Sequence, residues 1–250
     1  MFRRALVALA GLLGLALGPI AAAQAGEVKV AVAANFTAPA NEIAQAFEKT
    51  TGHKLVLSFG ATGQFYAQIT QGAPFDVLLA ADQATPAKAI TEGYAVTGSS
   101  FTYARGKLAL YSKSRGLSLG PETLKEGRFA KIAIANPATA PYGAAAMEVL
   151  KAIGAAEGLQ AKIVQGNNIG QTFQFVDTGN ADLGFVALSQ IVSGQTGSLW
   201  LVPEDLYRPI AQDAVLLKQG AANDAAKAFL AALRSPDVVR VIERYGYTVK

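Results

Sequence analysis

Cysteine is absent from the 250 residues and histidine occurs once. Without cysteine there are no disulfides, no thiolate nucleophile and no thiolate zinc site. His53 stands alone in a turn ahead of a strand, so no Ser-His-Asp or Cys-His relay and no His-rich metal site is expected. A single histidine in such a turn reads as a solvated surface residue. No two glycines stand two apart, so the dinucleotide pattern G-x-G-x-x-G cannot occur. The one Gly-Lys pair, Gly106-Lys107, has Phe101 where a P-loop needs its first glycine. Charge is sparse as well, at 16% of residues with 22 Lys+Arg against 18 Asp+Glu. A surplus that small, without basic clusters, leaves no footprint for nucleic acid. Together these absences remove most enzyme classes.

What is present begins with an export pattern. Arg3 and Arg4 precede an apolar run, Ala5 to Leu17, interrupted only by glycines, and Ala23-Gln24-Ala25 offers the small residues a signal peptidase needs. The run is short for a membrane span and Pro19 breaks its end, so residues 1–25 read as a cleavable signal peptide. Taking the two arginines from 22 leaves 20 basic residues against 18 acidic ones in the mature chain. No later window holds 18 uninterrupted apolar residues. Half the chain is nevertheless apolar, at 51%, which is the composition of a well-buried globular protein.

Short β-rich runs alternate with helical periodicity. Strands are expected at Val28–Ala33, Lys54–Phe59, Asp76–Ala80, Lys107–Tyr111, Lys131–Ala135, Lys162–Val164, Leu183–Ala187 and Ala214–Leu217. Helices fall between them, and two more close the chain. The first of these presents Ala226, Phe229, Leu230 and Leu233 on one face; the second opens with Ser235 as N-cap and Pro236 behind it. Such alternation argues an α/β fold with parallel strands covered on both faces. The pattern restarts after Gly106, giving two lobes: residues 26–105 form lobe 1, 106–207 form lobe 2, and 208–250 return to complete lobe 1.

Four strand-to-helix turns carry the functional signal. They are AANFTAP (33–39), FGATGQ (59–64), ANPATAPYG (135–143) and QGNNIGQ (165–171). In open α/β sheets ligands sit at the carboxyl ends of strands, where helix starts offer unpaired N–H groups and a partial positive charge. None of the turns contains Lys, Arg, His, Asp or Glu, so a bound anion would meet neutral donors. Single turns of this composition are ordinary helix caps; four of them shared by two lobes exceed what capping needs. Asp76 and Asp82, the best carboxylate pair, read as capping or turn groups rather than as an acid–base pair, and Asn167 and Asn168 as turn formers.

At these turns the sequence resembles the periplasmic molybdate-binding proteins of ABC transporters. The resemblance spans nearly the whole mature chain and rests on AAN-F-T, on FGATGQ followed by Gln68-Ile69, on GAPFDVLLAADQ (72–83) and on the terminal ERYGY (243–247). It implies a two-lobed periplasmic binding protein of type II, each lobe a mainly parallel sheet flanked by helices, with the ligand in the cleft. Asn35 matches the family's first polar ligand, acting through side chain and amide, and Thr62 its second hydroxyl. Ile169 matches a residue that donates only its backbone N–H. Many members have a ligand tyrosine where this chain has Ala187, and alanine where it has Tyr142, so Tyr142 reads as the replacement phenol.

The resemblance implies a monomer outside the cytoplasm that binds molybdate, and tungstate with it, through the ion's oxygens, and passes it to a membrane permease. No catalysis, no cofactor and no direct protein–metal ligand is expected. Alternatives are another tetrahedral oxyanion such as sulfate, or an enzyme on the same fold; the deaminases of related architecture need a cysteine that this chain lacks.

Overall fold

A computed structural model describes residues 25–192, 194 and 196–249; the expected signal peptide lies outside them but for Ala25. In chain order the elements are β1 (Glu27–Ala33), α1 (Thr37–Thr51), β2 (Lys54–Gly60), α2 (Thr62–Thr70), β3 (Val77–Leu79), α3 (Ala84–Thr91), β4 (Phe101–Gly106), β5 (Leu108–Ser112), α4 (Pro121–Glu126), β6 (Ile132–Ala135), α5 (Pro141–Ala152), α6 (Ala156–Leu159), β7 (Ile163–Gly166), α7 (Ile169–Asp177), β8 (Leu183–Ala187), β9 (Ser198–Leu201), β10 (Ile210–Leu216), α8 (Asp224–Ala232) and α9 (Pro236–Arg244). No helix among the described residues is long and apolar enough to cross a membrane.

The strands form two five-stranded sheets of matching design, ordered β2-β1-β3-β10-β4 and β7-β6-β8-β5-β9. In the first, β1 pairs in parallel with β2 and β3, while β10 is antiparallel to both β3 and β4. In the second, β6 is parallel to β7 and β8, and β5 is antiparallel to β8 and β9. Each sheet thus has one reversed strand in its fourth position, and its other four strands share a direction. The expectation of mainly parallel sheets holds, with β10 and β5 as the exceptions.

Side chains alternate between two covered faces, as the pleat dictates. Val28, Val30 and Val32 of β1 join Phe36, Phe47 and Phe229 in one core, whereas Ala31 between them faces Phe65 and Leu78 on the other side. In the second sheet Leu183, Phe185 and Ala187 meet Tyr142 and Leu150, while Val186 faces Tyr111 and Val176. The expected face of Ala226, Phe229, Leu230 and Leu233 packs into the first sheet's core together with Ile242 and Tyr247. Ser235 caps α9 by accepting from the Val238 N–H, and Pro236 opens that helix; such a cap contributes about 1 kcal/mol.

Candidate anion-binding site

The four turns follow β1, β2, β6 and β7, strands that pair as neighbours in their respective sheets. Asn35 is the second residue of a short 3-10 turn (34–36) leading into α1. Thr62 is the first residue of α2, Tyr142 the second of α5 behind Pro141, and Ile169 the first of α7. Each position has a main-chain N–H without a partner inside its own helix, at the positive end of the helix dipole. The cap residues ahead of Asn35, Thr62 and Tyr142 are alanines, whose side chains take none of these N–H groups. Of the four helix starts at the site, only that of α7 has a side-chain cap: Asn168 Oδ1 accepts from Gln171 N at 3.0 Å, two residues past Ile169.

All four candidates line one small cavity between the sheets, together with Ala33, Ala34, Gly60, Ala61, Ala81, Ala140 and Pro141. The space within it is small, about 10 Å³, and leaves no room for a sugar or an amino acid. No charged side chain lines it. Larger grooves of about 470 and 590 Å³ flank it, and the charged groups Asp82, Glu148 and Arg208 lie in the first of these.

The hydroxyls of the site are backed by protein donors. Thr62 Oγ1 accepts from the Ala81 N–H at 2.9 Å, and Tyr142 Oη accepts from Gln212 Nε2 at 3.2 Å. With an acceptor position filled from behind, each hydroxyl keeps its own proton to donate. Burial first, then the neighbouring Tyr247 and Tyr103, pushes the Tyr142 phenol well above its ordinary range, so it stays neutral and able to donate. Burial likewise raises Tyr103, and Tyr247 to about 12.

The Asn35 side chain is engaged by protein partners. Its Nδ2 donates to Gln212 Oε1 at 2.8 Å and to Tyr247 Oη at 3.0 Å, which uses both of its protons. The main-chain oxygen of Asn35 in turn accepts from Ser189 Oγ and from Tyr247 Oη, each at 2.8 Å. Ala187 sits at the end of β8 and does not line the cavity, whereas Tyr142 does. His53 lies away from the site and accepts from the Gly26 N–H. Asp82 caps α3 through the Thr85 N–H, and Asp76 accepts from the Lys29 N–H.

Gln212, Tyr247, Ser189 and Tyr103 form the polar layer behind the site and were not singled out from sequence for a role. They come from four separate stretches of chain, and only pairing of β10 with β3 and β4 brings Gln212 to Asn35. The terminal ERYGY motif contained Tyr247 without indicating what it touches. A further contact crosses the cleft at Gly63, whose N–H donates to Thr139 O at 2.9 Å. A side chain at Gly63 would meet the Thr139 backbone at 3.1 Å.

Comparison with known proteins places this architecture. The family model of the bacterial extracellular solute-binding proteins matches residues 28–248. The molybdate-binding protein ModA of Rhodobacter capsulatus is 51% identical over 99% of this chain and 97% of its own length. ModA of Azotobacter vinelandii is 55% identical over 90% and 91% respectively. The solved periplasmic molybdate-binding protein of Azotobacter vinelandii superposes with a TM-score of 0.86 at 41% identity, covering 89% of this chain and 99% of that one. Matches of that identity over nearly full length, on the same two-sheet frame, show that the chain belongs to the family of bacterial extracellular solute-binding proteins.

Proposed function

We propose that this protein captures molybdate outside the cytoplasm and delivers it to the membrane permease of an ABC transporter. The observation that carries the reading is the convergence of four helix starts and two proton-donating hydroxyls on one small, uncharged cavity. Neutral donors suit a fully ionised dianion. A protonated oxyanion would need an acceptor such as a carboxylate, and none lines the cavity. The molybdate-binding relatives at 51% and 55% identity favour molybdate among the tetrahedral dianions. Tungstate, of similar size and charge, binds through the same donors. The ligand-contacting residues are Asn35, Thr62, Tyr142 and Ile169. The ion is held through its oxygens, with no cofactor and no side chain on the metal, and it is bound rather than transformed.

Asn35 and Thr62 belong to lobe 1 (26–105 with 208–250), and Tyr142 and Ile169 to lobe 2 (106–207). An ion touching both lobes favours their closure by its differential contacts. The protein works as a monomer in the periplasm after loss of residues 1–25. Calorimetry tests the reading: hydrogen bonds to a charged acceptor contribute roughly 1.5–3 kcal/mol each, so a dissociation constant between about 1 μM and 1 nM is expected for molybdate and tungstate. Sulfate should bind far more weakly, since its shorter bonds leave donors unmet. Equal affinity for sulfate and molybdate overturns the choice of molybdate.

A further inference from the structure

Behind the cavity a chain of hydrogen bonds runs from the main-chain oxygen of Asn35, which can only accept, to the Tyr142 phenol; Tyr247 Oη within it also lies 3.0 Å from Ser189 Oγ. The main-chain oxygen of Asn35 has Ser189 Oγ and Tyr247 Oη at 2.8 Å, and each hydroxyl has a single proton to give it. With that proton spent, the Tyr247 oxygen accepts from the Asn35 carboxamide at 3.0 Å, which must therefore present Nδ2. The second Nδ2 proton points to Gln212 at 2.8 Å, so Gln212 presents Oε1 on that side. Its Nε2 then faces Tyr142 Oη at 3.2 Å, and the phenol accepts. The Tyr103 hydroxyl lies 3.1 Å from Gln212 Oε1 and 3.2 Å from the main-chain oxygen of Ala80, with one proton to give between them. Gln212 is fully buried, and the β-bulge between it and Asp213 sets its place in β10.

We propose that Gln212 is a positioning residue for anion recognition, which fixes Tyr142 as a proton donor toward the cavity without touching the ion itself. The amide links lobe 1, through Asn35 and Tyr103, to the phenol of lobe 2. With Gln212 Nε2 donating, one acceptor position of the phenol is filled from behind, and its own proton is left to give. The inference rests on Tyr142 contacting the ion, as proposed above.

A double-mutant cycle on the full mature chain, titrated with sodium molybdate, tests this. Gln212→Met should weaken binding about ten- to a hundredfold in the wild-type background and less than about threefold alongside Tyr142→Phe. A merely structural Gln212 would weaken both backgrounds alike, and that result overturns the proposal. Tyr142→Phe measured alone separates the two levels: wild-type affinity there removes Tyr142 from the site, and the relay falls with it. Gln212→Glu gives a second readout and decides the matter if Gln212→Met does not fold. The ionised carboxylate of that variant can only accept, so it draws the phenol proton away from the cavity; once protonated it can donate again. Affinity of Gln212→Glu should therefore rise as pH falls from about 8 to about 6, where the wild type stays level. A flat profile in the variant, at wild-type affinity, contradicts the relay.

Discussion

The Thr62 hydroxyl has two tasks that one substitution can separate. It accepts the Ala81 N–H at 2.9 Å and is 1% exposed, and in our reading it gives its own proton to the ion. Thr62→Val keeps the shape and deletes both bonds. Loss of a donor to a charged acceptor should weaken molybdate binding by about 1.5–3 kcal/mol, or roughly ten- to 150-fold. The Ala81 N–H, left buried without its acceptor, should cost about 1–3 kcal/mol of folding stability. For a protein of this size that lowers the melting temperature by about 2–4 °C per kcal/mol. Thr62→Ser keeps the hydroxyl and should stay near wild type in both measurements. Calorimetric titration and a thermal melt on the same three samples give the answer. A Thr62→Val protein that melts earlier yet binds molybdate within about twofold of wild type would falsify the ligand role, leaving the hydroxyl as a partner of Ala81 alone.

Gly106 ends β4 where the chain leaves the first sheet, and a Cβ there would lie 1.9 Å from Tyr142 Oη and 2.5 Å from Gln212 Nε2. Gly106→Ala should therefore displace the phenol and weaken molybdate binding at least tenfold, on the order of the loss of one charged hydrogen bond; unchanged calorimetry would show that the phenol has somewhere else to go. Ile169→Ala should keep affinity within about threefold, because the donating N–H is main chain, while costing about 2–4 kcal/mol of stability in chemical denaturation for the 4% exposed side chain. The reverse pattern, stable but unable to bind, would make the side chain the contact. The phenols of Tyr103, Tyr142 and Tyr247 have folded pKa values raised by burial. The stability this contributes is complete below about pH 10 and lost as pH climbs through the value of about 12 for Tyr247. In an alkaline absorbance titration these three of the eight tyrosines should ionise only as the protein unfolds; ionisation of all eight with native circular dichroism intact would contradict it.

The candidate residues were legible because a helix start is a local event. Pro141, Asn168 and the alanine-ended strands mark where N–H groups go unpaired, and these signals sit within a few residues of each ligand position. The expected strands were found within a few residues of their limits, except that β10 begins at Ile210 rather than Ala214. Its first half contains Gln212 and Asp213, buried with Asp213 accepting from Thr102 on the neighbouring strand and from Gln83 ahead of α3. Periodicity cannot register a polar stretch buried by distant partners. β4 escaped for a related reason: it is an edge strand with Arg105 exposed. The direction of Asn35's carboxamide was likewise out of reach, since it depends on Gln212, 177 positions away.

The insertion of β10 between β3 and β4 also sets when lobe 1 can exist. Until residue 216 has emerged, β3 and β4 have no strand to join them, and the first hundred residues cannot close their own sheet. Long-range pairing of this kind is slow to form. The amino-terminal half of the chain therefore waits, its sheet incomplete, for the last strand to be made.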